Sequence, residues 1–154
     1  MYSKEFIKET KTLFYTSFGK FMKKNRSRLG KKVKWMNYPT KVKDIYIRLY
    51  ADNKSASVFI DLQHSDEGIR LLFYDQFLEL KKVFEQYNNS EWQWCKETCN
   101  DIGLPCSRII TSIENVSIYD KSTWKKIFQF YEDKLLNFDE FWIEFNEVFK
   151  QLED

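Results

Sequence analysis

The chain has 154 residues, of which 43% are apolar, 18% aromatic and 31% charged; it is long enough to bury a core and too apolar for a disordered protein. No run of 18 apolar residues is present, and the opening MYSKEFIKET lacks the apolar stretch of a secretory signal, so neither a membrane span nor export is expected and the reading is cytoplasmic. The net charge of +2 hides a polarity: residues 1–54 hold 15 Lys/Arg against 4 Asp/Glu, and residues 55–154 hold 10 against 19.

In chain order, Ser3 is placed to cap a helix in which Phe6, Ile7, Thr10, Leu13, Phe14, Phe18 and Phe21 recur at helical spacing, ending near Met22. A basic loop follows: residues 20–34 carry eight cations and no acid. VKWMNYP predicts a short strand stopped by Pro39. DIYIRLYA and SASVFIDLQ then alternate, and the DNKS between them is a turn signal, so the two form a hairpin. Pairing Ala51 with Ala56 sets Leu49 against Val58, Ile47 against Ile60 and Ile45 against Leu62, which puts every aliphatic on one face. The other face then carries Asp44, Tyr46, Arg48 and Tyr50 beside Ser57, Phe59, Asp61 and Gln63.

Ser65, followed by the acidic Asp66 and Glu67, opens a second helix with Ile69, Leu72, Phe73, Phe77, Leu80, Phe84 and Tyr87 along its buried stripe. EWQW and SRIITSIENVSIY predict two more strands around the turn NDIGLP. Ser122 or Thr123 starts a helical stretch that reaches the C-terminus as one helix, or as two broken near Asn137. The expected fold is thus a single α+β domain over residues 1–154. It has a mixed, mostly antiparallel sheet of about five strands flanked by helices, in the order α-β-β-β-α-β-β-α.

That order resembles the restriction-endonuclease-like fold, whose enzymes gather an Asp and an acid-x-Lys pair around Mg²⁺. The resemblance would make Asp44, Asp61 and Gln63 the catalytic set, with Glu9 as an auxiliary acid. Gln63 stands where the pattern has Lys, and an amide carries no charge. The bland reading is that Asp61 pairs with Arg48 across the hairpin, while Gln63 and His64 satisfy backbone groups at a strand-to-helix junction.

Three blocks, YSKE…FYTSFGKFM, MNYPTKVKDIYIRLYADNKSASVFIDLQHSDEGIRLLFYDQF and SRIITSIENVSIYDKSTWKKIFQFY, resemble a bacterial family known as domain of unknown function 4268. The resemblance implies small proteins, some of them attached to nuclease-like modules. It brings no catalytic residues to transfer.

Other chemistries find less support. Cys95, Cys99 and Cys106 with the single histidine, His64, lack the spacing of a zinc site, and four scattered glycines spell no phosphate-binding loop. No metal site or cofactor is expected; Mg²⁺ belongs to the nuclease reading alone. The strongest functional signal is the basic loop. Lys23, Lys24, Arg26, Arg28, Lys31, Lys32, Lys34 and Trp35 offer cations and a ring to nucleic acid or to an acidic protein. Against this stands internal neutralisation by the acidic C-terminal stretch. That stretch also carries Phe130, Leu136, Phe141 and Val148 off its main stripe, for the core or for a homodimer. The expected function is a non-enzymatic binding or regulatory module; a divergent Mg²⁺-dependent nuclease and a structural dimerisation module are the alternatives.

Overall fold

The computed structural model describes residues 2–153. The elements are α1 (Lys4–Met22), a 3-10 turn (Trp35–Asn37), β1 (Ile45–Ala51), β2 (Ser55–Leu62), α2 (Glu67–Glu79) and α3 (Lys81–Asn88). They are followed by β3 (Gln93–Cys99), β4 (Pro105–Glu114), a second 3-10 turn (Lys121–Thr123) and α4 (Trp124–Gln151). The class is α+β. The sheet, however, has four strands instead of five, ordered β1-β2-β4-β3, and every pairing is antiparallel. No helix among the described residues is long and apolar enough to cross a membrane.

The hairpin adopts the register that its pattern requires, from Ala51 opposite Ala56 to Ile45 opposite Leu62. A one-residue slip would turn Val58, Ile60 and Leu62 to solvent, so burial itself enforces the pairing. At the turn, Asp52 Oδ1 accepts the amides of Lys54 and Ser55 at 2.9 and 2.8 Å.

The strand expected in VKWMNYP is absent, which removes the restriction-endonuclease-like element order. Pro39 has no amide to give a ladder, and Lys41 and Asp44, with positive φ angles of 62° and 64°, turn the chain between it and β1, so no strand forms before Ile45. The segment curls into a 3-10 turn anchored by buried Trp35, and Thr40 Oγ1 donates to Ile45 O at 2.8 Å to lead the chain into β1.

The second predicted helix breaks in two at Leu80, whose φ of −98° and ψ of 7° leave the helical basin. The break lets α3 turn onto α4, where Phe84 and Phe141 meet edge to face at 5.0 Å. Asp66, one residue beyond the predicted Ser65, caps α2 by accepting from Ile69 N at 2.9 Å. Ile69 and Leu72, expected in the core, stay exposed at the start of α2.

The C-terminal stretch is one unbroken 28-residue helix. It crosses the aliphatic side of the sheet: Tyr131 donates to Tyr50 O, and Trp142 Nε1 donates to Thr40 O at 2.8 Å. Phe141 is fully buried, and Phe130 and Leu136 pack against the core, so these off-stripe residues are covered by the chain's own elements; Val148 is exposed.

Candidate binding groove and sheet face

The basic loop is built on α4. Buried Asp139 projects from the core stripe of α4 and accepts from Ser27 Oγ, from the Arg28 amide at 2.8 Å and from the Tyr38 hydroxyl at 2.5 Å. Burial, then the hydrogen bond and charge of Asp139, push the Tyr38 hydroxyl far above its ordinary range, so it stays protonated and donates. Glu132 holds Asn25 Nδ2 at 2.9 Å and Lys24 Nζ at 3.3 Å; Glu144 holds Arg28 at 3.1 Å. Part of the charge polarity is therefore neutralised inside the molecule.

The rest is not. Lys20, Lys23, Arg26, Lys31, Lys32 and Lys34 are exposed, and none has an ion-pair partner among the described residues. Lys23, Lys32 and Lys34 stand on the rim of a groove of about 520 Å³ between the end of α1 and the loop. Its lining includes Phe18, Met22, Val33, Trp35 and Met36. Gly19 lets the walls approach, since a Cβ there would sit 3.1 Å from Met36 Cε. The rings differ from expectation. Trp35 is 5% exposed with Nε1 turned to Asn25 O, and Phe21 lies under the Lys24 ammonium, so neither presents a free face for a base to stack on.

The second candidate lies on the side of the sheet away from the helices. There the expected convergence of Asp44, Asp61 and Gln63 does not form. Asp61 and Gln63 do meet, with Gln63 Nε2 donating to Asp61 Oδ2 at 3.2 Å. Asp44 precedes β1 in a left-handed conformation and lines a different cavity, beside His64. Glu9 sits on the exposed flank of α1 and lines neither cavity.

Asp61 is also not partnered by Arg48, as the hairpin alone implied. Its carboxylate is clamped by Arg108 of β4, with Nε to Oδ1 at 2.6 Å and Nη2 to Oδ2 at 2.9 Å. Arg48 instead lies over the Tyr46 ring at 4.3 Å, and Arg108 covers Phe59 at 4.4 Å. The pairing arises because β2 lies beside β4 with Asp61 opposite Arg108, a non-local register no single hairpin reveals. Chemically the pair is a fixed, mutually neutralised clamp: Arg108 and Gln63 together place three donors on the Asp61 carboxylate, and the guanidinium holds the charge that a metal would need.

Two functional residues escaped the sequence reading. Arg108 carried no local signal. Asp139 did carry one, as a lone acid next to Phe138 and one turn from Leu135 and Trp142 on a buried stripe.

The profile of a family described as "Domain of unknown function (DUF4268)" matches residues 10–146. No curated protein and no solved structure matches the chain. The match runs from the first turns of α1 to the last turns of α4 and so takes in the sheet, the basic loop and the acids that hold it. The chain belongs to this family of domains of unknown function.

Proposed function

We propose that this protein is a non-enzymatic binding module whose lysine-rimmed groove takes an acidic segment of a partner protein. One observation carries the reading: Lys23, Lys32 and Lys34, with no ion-pair partner among the described residues, stand around a cavity lined by Met22, Val33, Trp35 and Met36. Such a floor suits apolar side chains set between carboxylates, and the lysines supply charge that steers the acidic chain to it. Nucleic acid would use the same lysines for its phosphates, but the buried rings offer it no stacking platform. The loop is firmly mounted, because Asp139 holds the Arg28 amide and Glu132 the Asn25 side chain, while Lys23, Lys32 and Lys34 take no part in these contacts, so little ordering cost falls on binding.

The test is fluorescence anisotropy with a labelled peptide of alternating Glu/Asp and Leu/Phe, run beside labelled single- and double-stranded oligonucleotides. The peptide should bind best, and binding should fall about 3- to 150-fold when Lys23, Lys32 and Lys34 all become Ala, at roughly 0.2–1 kcal/mol per rim charge. Tighter binding of an oligonucleotide, with a salt slope that drops by about 3 in the same variant, would reassign the groove to nucleic acid. Equal binding by wild type and variant would refute it for both.

A further inference from the structure

A third cavity, of about 460 Å³, opens where β2 turns into α2, close to the end of α4. Its lining includes His64, Asp44, Asp66 and Glu153, with Leu72 and Leu152 between them. His64 is 7% exposed; the Lys43 backbone is near enough to engage one side of the ring, and no side chain among the described residues hydrogen-bonds to either ring nitrogen. Its ring is packed flat on Phe73 at 4.5 Å, and its carbonyl is held by Arg70 Nη1 at 2.9 Å, so the imidazole is fixed in place. A buried polar group left without a partner is destabilising, and a ligand donor to the ring would relieve it.

The charges around it favour one ligand sign. Three carboxylates, of Asp44, Asp66 and Glu153, line the cavity against the Lys43 ammonium, with the buried Arg70 guanidinium behind His64, so negative charge still leads by one. Asp66 Oδ1 caps α2 and Glu153 Oε2 accepts the Lys43 amide, while the Asp44 carboxylate has no hydrogen bond among the described residues. The acids are spread around the wall: among the described residues no group of three or more His, Cys, Asp or Glu is close enough to hold a metal ion. Beside them Ile69 and Leu72 remain about half exposed, an apolar surface at the mouth of an acidic cavity.

We propose that this cavity is a binding site for an alkylammonium group, in which the Asp44 carboxylate and a ring nitrogen of His64 accept the ammonium hydrogens. The aliphatic chain of the ligand would lie on Ile69 and Leu72. A free polyamine and the lysine side chain of a partner peptide share this chemistry. Burial, aided by Arg70, lowers the affinity of His64 for a proton against the pull of Asp44, Glu153 and the Lys43 backbone, so the neutral ring keeps one nitrogen as an acceptor.

The experiment uses the single histidine as its own reporter. The imidazole ¹H resonances of the full chain are followed at pH 7.5 while putrescine, spermidine, or a short lysine peptide with blocked ends is added, with tetramethylammonium, which has no hydrogen to donate, as the control. The site predicts a saturable shift with the primary amines and none with tetramethylammonium. Asp44→Asn should weaken it about tenfold, on the scale of one charge-assisted hydrogen bond. Asn tolerates the left-handed backbone at this position, so the fold is retained, and unchanged amide shifts elsewhere check that. Stronger binding of spermidine than of the peptide assigns a polyamine, and the reverse assigns a partner lysine. No shift with any amine, an equal shift with tetramethylammonium, or an Asp44→Asn protein that binds as well as wild type would overturn the proposal.

Discussion

Arg108→Met should destabilise the protein more than Asp61→Asn, although both break the same ion pair. In the folded chain the Asp61 side chain is 2% exposed and that of Arg108 is 22% exposed. Removing the arginine strands a nearly inaccessible carboxylate with only the Gln63 amide at 3.2 Å, which corresponds to the upper range for breaking a buried pair, about 3–5 kcal/mol. Removing the acid leaves a guanidinium that water reaches in part, so Asp61→Asn should cost about 2–3 kcal/mol, a fall in Tm of roughly 5–10 °C. The double variant should be milder than the two single costs added together, with a coupling of about 2 kcal/mol. Urea unfolding followed by the fluorescence of the five tryptophans measures all four proteins. Additive costs, or a stabilising Asp61→Asn, would refute the argument. A stabilising effect is what relief of a carboxylate held ready for a metal would produce, so the same series discriminates a structural Asp61 from a catalytic one.

Asp139→Ala should cost about 2–3 kcal/mol and free the loop, seen as loss of hydrogen-exchange protection at the Arg28 amide; unchanged protection would show that the loop is held by something else. Phe141→Ala should cost about 3–5 kcal/mol, because the ring is fully buried against Phe84, Tyr87 and Phe145; a cost below about 1 kcal/mol would place that face of α4 outside the core. His64 should titrate below its ordinary value of about 6.5, chiefly through burial. The unfolded chain then binds the proton more readily, so this stability is present above about pH 6.5 and is lost as pH falls toward the lower folded value. Urea midpoints at pH 7.5 and pH 5 should differ less in His64→Gln than in wild type, and an imidazole that titrates above 6.5 would contradict the assignment.

What the sequence disclosed and what it withheld follow one physical divide. The β1–β2 hairpin was legible to the residue, because alternation and a tight turn are local and burial of one face leaves a single register. The helical stripes of α1 and α4 were equally plain in Phe14, Phe18, Leu135 and Trp142. The break at Leu80 was not, since Leu-Lys-Lys is good helix sequence and the turn serves the docking of Phe84 on Phe141, a tertiary effect. The false strand at VKWMNYP came from an apolar run too short to separate strand from turn. For the sites, the basic loop was visible as a run of charge, but how its cations divide between α4 and solvent depends on Glu132 and Glu144, more than a hundred residues away. Asp61 and Gln63 were correctly brought together; Arg108 and the displacement of Asp44 required the non-local pairing and the left-handed turn before β1.

The most direct test of a binding groove is a ¹H–¹⁵N titration of the full chain with the acidic, apolar-interleaved peptide, reading the Trp35 indole N–H together with the amides of Gly19, Lys23 and Val33. The groove predicts saturable shifts confined to these positions and their neighbours, moved to several-fold or more higher peptide concentration when Lys23, Lys32 and Lys34 become Ala. Shifts that fall on the open sheet face around Phe59 and Ile110, or that saturate at the same peptide concentration in the triple variant, would contradict the claim that the lysine rim is where this domain meets its partner.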